Sequence, residues 1–150
     1  MIKARIVNES DCADLLTWRN DSQTRKNFFS SDYVKEQNHV NWFKKILASN
    51  HSKIIILEFN DQKIGMVRYD SKDFKTYVSI NTNPLMRGKG HSSEMLLASE
   101  KLIIDDKNIA NNLNANILKS NHISIKVFEK AGYQLKSVTH DYYEYIKKIK

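Results

Sequence analysis

Residues 84–97 read PLMRGKGHSSEMLL, and two of the chain's four glycines, Gly88 and Gly90, fall there within three residues. Arg87 precedes the first glycine and Lys89 separates the pair. Glycine reaches backbone angles closed to other residues and lets a ligand approach the main chain. A helical run follows, and the free amides and positive dipole end of a helix start favour an anion. A phosphate or pyrophosphate is the expected guest, with Arg87 and Lys89 adding charge at its edges and His91 capping the helix or touching the phosphate. A plain glycine turn into a helix is the alternative. Two familiar phosphate loops do not fit. The P-loop wants Gly where Asn83 stands and Ser or Thr where Gly90 stands. The dinucleotide fingerprint wants a third Gly or Ala where Ser93 stands, inside a parallel β-α-β unit.

Other reactive side chains gather in the first third. His39 is a candidate base, because a free imidazole titrates at about 6.5; a cleft-lining or surface role is the alternative. Trp18 and Trp42 either stack on a base or sugar face or pack in the interior. Arg19 and Arg25 either grip a diphosphate or belong to a solvated surface. Arg68 lies mid-strand, where a buried guanidinium needs a partner, and Asp70 stands two residues on. The five histidines contain no i, i+4 pair and there is one cysteine, Cys12, so no metal site is expected.

These groups need a scaffold. A strand at Ile2–Val7 precedes a helix near 11–20 that Ser10 or Asp11 can cap. The polar run NDSQTRKNFFSSDY reads as a loop. A helix near 34–48 carries Val40, Phe43 and Leu47 at helical spacing, with His39 and Trp42 on another edge. Strands at 53–59, 63–70 and 74–82 are joined by turns too short for anything but an antiparallel meander, which Pro84 ends. A helix to about Asp106, with Met95, Ser99 and Leu102 on one face, leads to a strand at 112–118. Asn121 can cap a helix over 122–131, Gly132 suits its left-handed end, and a hairpin turns around His140-Asp141. The order β-α-α-β-β-β-α-β-α-β-β predicts one α+β (α/β) domain over residues 1–150, with a mixed central sheet of about seven strands.

Composition narrows the setting. The chain has 150 residues and a formal net charge of +7. That excess favours anionic ligands or is simply a basic surface. Aromatics are not interleaved with basic runs, so a nucleic-acid groove is not expected. Neither a membrane span nor a secretory signal is read from the sequence, and one cysteine suits a reducing, cytoplasmic setting.

The loop in this context resembles the acetyl-coenzyme A site of the GNAT superfamily of N-acetyltransferases. That family's motif is Gln/Arg-x-x-Gly-x-Gly/Ala, laid here over Leu85-Met86-Arg87-Gly88-Lys89-Gly90, with Leu85 departing at the first position. NHISIKVFEKAGY (121–133) resembles the family block Asn-x-x-Ala-x-x-x-Tyr-x-x-x-Gly-Phe, with Phe128 where the block has its Tyr. The resemblance implies a GNAT fold and acetyl-coenzyme A as co-substrate. It also implies a pantetheine arm along the backbone of Ile80, Asn81 and Thr82, a pyrophosphate on the amides of Arg87 to Ser92, and pantetheine contacts from Asn121 and Phe128. The usual acid, Tyr, is missing at Phe128, which leaves Ser124 or a water to protonate the thiolate.

The pattern Trp18-Arg19-Asn20, Arg25, Ser30, His39 and Trp42 resembles GNAT enzymes of pseudaminic-acid biosynthesis. These residues, with Arg68, become candidates for binding the acceptor. The implied acceptor is a UDP-linked 4-amino-4,6-dideoxy sugar. A protein N-terminal or small-amine acetyltransferase is the alternative, as is a catalytically silent acyl-coenzyme A-binding module. Whether two chains pair as a homodimer is left open.

Overall fold

The computed structural model describes residues 1–150. A first strand, β1 (Lys3–Ile6), leads through a short 3-10 turn to α1 (Cys12–Asn20). A five-residue helix, α2 (Ser22–Lys26), and a longer one, α3 (Glu36–Ala48), follow. The meander is β2 (Ser52–Phe59), β3 (Gln62–Lys72) and β4 (Lys75–Thr82). Then come α4 (Ser92–Ile103), β5 (Asn112–Leu118), α5 (His122–Lys130), β6 (Gln134–Val138) and β7 (Tyr142–Lys148). All seven strands form one sheet in the order β1-β2-β3-β4-β5-β7-β6, antiparallel except for the central pair β4–β5.

Helices cover both faces. The larger core joins Met95, Leu96 and Ile103 of α4 and Phe128 of α5 to Ile55, Leu57, Val67 and Leu113 of the sheet. The smaller joins Leu15 and Trp18 of α1 and Phe43 and Ile46 of α3 to Ile54, Ile56 and Met66. Successive residues of a strand face opposite sides, so the run IIIL at 54–57 feeds both cores.

Four local expectations differ from the structure. The stretch after α1 is not all loop: Asp21 accepts from the Thr24 amide at 3.1 Å and caps α2, a helix too short to show an apolar period. On α3 the inward face is His39, Phe43 and Ile46, not Val40, Phe43 and Leu47. His39 turns inward because its ring nitrogen finds the Cys12 carbonyl. On α4 Leu102 is 45% exposed while Leu96 and Ile103 are buried. Neither Ser10 nor Asp11 caps α1 through its side chain: Asn8 accepts from Ser10 N, and the Asp11 carboxylate turns to Arg5, Lys63 and the Asn8 amide.

Candidate active site

The parallel pair β4–β5 is joined only at Thr76↔Leu113 and Tyr77↔Asn114. Beyond those rungs the strands part. The β4 edge from Val78 to Thr82 and the β5 edge from Ala115 to Leu118 then face each other without pairing, while their outer edges remain paired to β3 and β7. Two connected hollows fill the gap. One, of about 440 Å³, runs between β4 (Ile80, Asn81, Thr82), the glycine loop and α2. The other, of about 100 Å³, lies deeper between Val78, Ser79 and Ile80 on one side and Asn116 to Leu118 on the other. They share Asn27, Phe28, Ile80, Asn121 and Ser124.

The outer hollow is built for an anion. His91 stands at the N-cap of α4 without a side-chain cap, so the first-turn amides point outward. Gly88 (φ 73°) and Gly90 (φ 76°) take left-handed angles, and a Cβ on either would meet no protein atom within 4 Å. The glycines therefore serve backbone direction and leave their outer side open. Gly65 is a different case. A Cβ there would lie 2.4 Å from Met95 Cε and 2.7 Å from the Asn81 carbonyl oxygen. The close approach of β3 holds the Asn81 backbone at the cleft edge.

Side chains of the loop divide sharply. Leu85 is 85% exposed and outside the cleft, whereas Arg87, Gly88, Gly90, His91 and Ser92 line it and Lys89 is exposed outside that lining. Laid two residues later, the motif meets Arg87 at its first position, Gly90 at its fourth and Ser92 at its last. That register puts the polar first residue in the cleft. Arg87 does not reach toward open space, however. Its Nη2 bonds Asp21 and, at 2.7 Å, Thr24 Oγ1, and its Nη1 meets Gln23 Oε1 at 3.4 Å. His91 packs its ring on Phe59 at 4.8 Å.

The inner hollow is lined by amides and hydroxyls (Asn27, Ser79, Asn116, Asn121, Ser124), phenyl rings (Phe28, Phe29, Phe128) and the aliphatic Val78, Ile80, Ile117 and Leu118. No carboxylate and no imidazole is among its residues. Asn121 caps α5 by accepting from Ser124 N at 3.2 Å. Ser124 and Phe128, one turn apart on α5, both face this hollow. Phe128 is 3% exposed and sits edge-on to Tyr133 at 4.9 Å. Burial, reinforced by Tyr69 and Glu100, holds the Tyr133 phenol far above its ordinary range. The ring beside the hollow is thus apolar, and the Tyr133 phenol behind it is a weaker acid than a free one.

None of the candidate acceptor residues of the first third lines either hollow. His39 is 3% exposed, with Nε2 2.8 Å from the Cys12 carbonyl oxygen, stacked on Phe43 and against Trp42. A carbonyl only accepts, so that nitrogen donates and ties α3 to α1. Trp18 is a core residue. Asn20 clasps the Val34 backbone on both its polar atoms, at 2.7 and 2.8 Å. Arg19 lies over the Phe28 ring at 4.3 Å and donates to the Ser30 carbonyl at 3.0 Å. Arg68 pairs with Asp70 at 2.8 Å and lies over Trp42 at 5.0 Å, so the partner in the same strand is the one it uses. Of these, Arg19 and Asn20 hold the segment 21–34. That segment contributes Gln23, Thr24, Asn27, Phe28 and Phe29 to the hollows, none of which the spacing of the sequence marked. Arg25 faces Tyr33 at 5.8 Å, and Arg25 Nε and Arg19 Nη1 are buried without a partner. Burial and then the neighbouring Arg25 pull the Arg19 guanidinium below its ordinary value.

Residues 4–148 match the model of an acetyltransferase (GNAT) domain. The chain belongs to the GNAT acetyltransferase family. It is 25% identical over 138 residues to the uncharacterized N-acetyltransferase YfmK of Bacillus subtilis strain 168, covering 91% of this chain and 88% of that one. Two solved structures show the fold. Aminoglycoside acetyltransferase AAC(6′)-Ib in complex with coenzyme A and kanamycin superposes with a TM-score of 0.82 at 18% identity, over 99% of this chain and 95% of that one. The Campylobacter jejuni N-acetyltransferase PseH superposes with a TM-score of 0.73 at 18% identity, over 98% and 97%. The GNAT protein described here is accordingly an N-acetyltransferase that uses acetyl-coenzyme A. The uncapped helix start, the open left-handed glycines and the parted strands fit that co-substrate. No group of three or more His, Cys, Asp or Glu stands together as a metal would need, and no helix is long and apolar enough to cross a membrane.

Proposed function

We propose that this GNAT enzyme acetylates the primary amine of an amino sugar carried on a nucleotide diphosphate, of the UDP-linked 4-amino type. The observation that carries the reading is the inner hollow, which has no carboxylate and offers Asn27, Ser79, Asn116 and Ser124 beside Phe28 and Phe29. Polycationic acceptors such as aminoglycosides and polyamines are held by acidic groups. A sugar instead presents hydroxyls to amides and hydroxyls, and a flat apolar face to an aromatic ring.

In this reading the pantetheine arm lies against Ile80, Asn81 and Thr82, where a backbone amide polarises the thioester carbonyl. The pyrophosphate rests on the amides from Gly88 to Ser92, and Asn121 closes the other side. The neutral amine attacks, a C–N bond forms and the C–S bond breaks. The amine's proton leaves to water, and the thiolate takes one from a water, directly or through the Ser124 hydroxyl, which regains its proton from that water. Alignment of amine and thioester supplies much of the rate. The chain acts as one domain, and the free Cys12 suits a reducing cytoplasm.

The test is thiol release from acetyl-coenzyme A across a panel of UDP-linked amino sugars, kanamycin, spermidine and a peptide α-amine. The expected result is the highest kcat/KM on a UDP-linked 4-amino sugar. A polyamine, an aminoglycoside or a peptide that outperforms every nucleotide sugar rejects the reading.

A further inference from the structure

Arg87 lines the outer hollow from the glycine loop, and Asp21 caps α2, whose Gln23 and Thr24 line the same hollow. The guanidinium has three partners there, and all belong to α2 or its cap: Asp21, Thr24 Oγ1 and Gln23 Oε1. It therefore straps the donor cleft from wall to wall. Both ends are partly open to solvent, with side-chain exposures of 31% for Arg87 and 24% for Asp21, so the pair is within reach of an incoming ligand. Asp21 is also the acid at the helix start of α2, where it caps Thr24 N. The hydrogen bond from Arg87 is the main cause that holds its carboxyl below the ordinary range.

Arg87 thus stands between two anions. One is the Asp21 carboxylate it holds, and the other is the pyrophosphate that belongs on the amides a few residues along the same loop. We propose that the Asp21–Arg87 bridge is a strap across the donor cleft that competes with the coenzyme for Arg87. Coenzyme binding draws the guanidinium from Asp21 to the pyrophosphate and releases α2. The residues that follow α2, Asn27, Phe28 and Phe29, line the acceptor end. Arg87 is then the residue through which an occupied donor site is felt at the acceptor wall. Asp21 touches no reacting atom and acts through Arg87, as a positioning residue.

The experiment is calorimetric titration with coenzyme A of four proteins: native, Asp21→Asn, Arg87→Gln and the double variant, each checked for folding by thermal unfolding. Asparagine retains the cap of α2 while removing the charge. Asp21→Asn is expected to tighten coenzyme A by about two- to five-fold, the size of a partly exposed ion pair. In the Arg87→Gln background the same change is expected to lose most of that gain, because the contest is gone. Unchanged or weaker binding by Asp21→Asn overturns the proposal. An equal gain in both backgrounds also overturns it, because the effect is then simple removal of a like charge. Should Asp21→Asn unfold, Asp21→Ser keeps a cap and repeats the cycle. No acceptor is present, so the outcome stands apart from that of the amino-sugar reading.

Discussion

In the proposed reaction, Ser124 and Phe128 are the residues that bear on how the leaving thiolate gains its proton. They sit one turn apart on α5 and line the same 100 Å³ hollow. Phe128 has no proton to give, and the buried phenol of Tyr133 is held far above its ordinary range. Ser124→Ala is expected to lower kcat by about 100-fold while leaving the KM for acetyl-coenzyme A little changed. Adding Phe128→Tyr to that variant puts a phenolic hydroxyl over the hollow, and kcat should recover. Steady-state kinetics of the two variants decide the matter, and an undiminished Ser124→Ala enzyme removes Ser124 from the chemistry. His39, by contrast, is structural, because its nitrogen is spent on Cys12.

At the scale of elements, the site depends on β4 leaving β5 while keeping β3. Gly65 on β3 faces Thr82 on β4, and only a hydrogen atom fits between its Cα, Met95 and the Asn81 carbonyl. Gly65→Ala must push either the flexible Met95 tip or the Asn81 backbone. The methionine can move and the strand cannot move cheaply. The expected cost is about 1–3 kcal/mol of stability. Weaker coenzyme A binding should accompany it, because the displaced atom belongs to the cleft edge. Chemical denaturation and a coenzyme A titration measure the two effects, and a variant that matches the native protein in both contradicts the close contact.

Across the whole molecule, Asp11 ties the N-terminal strand, the start of α1 and β3 together. Its carboxylate is 0% exposed and bonds Arg5 twice at 2.8 Å, Lys63 at 2.8 Å and the Asn8 amide at 2.9 Å. Burial alone would raise its pKa, yet the bonds from Arg5, Lys63 and Asn8 outweigh burial and hold it below the ordinary range. A depressed folded pKa contributes stability that is complete above the unfolded value of about 3.9 and is lost as pH falls through the folded one. Asp11→Asn should cost about 2–4 kcal/mol at pH 7 and at pH 5, with the deficit shrinking below pH 3. Urea unfolding at several pH values reads this directly, and a deficit independent of pH contradicts the charged network.

Element order, the meander, the glycine loop and the cap at Asn121 were legible in the sequence, because each rests on local chemistry: strand and helix period, turn residues and the backbone freedom of glycine. Arg87, Gly88, Gly90, His91 and Ser92 were singled out for the same reason, and they line the outer hollow. The inner hollow was not legible in the sequence. Arg19, Asn20 and His39 attract notice by type, yet the partners are Phe28 and Ser30 for Arg19, Val34 for Asn20 and Cys12 for His39. Such partners are 9 to 27 residues away and come together only once α1, α2 and α3 pack. Asn27, Phe28, Phe29, Ser79 and Asn116 form no motif, and they share one hollow because β4 and β5 part after a two-residue ladder. A local period records which residues enter a strand or a helix. Where two strands separate, and which side chains meet in the gap, is decided by long-range packing that no window of sequence contains.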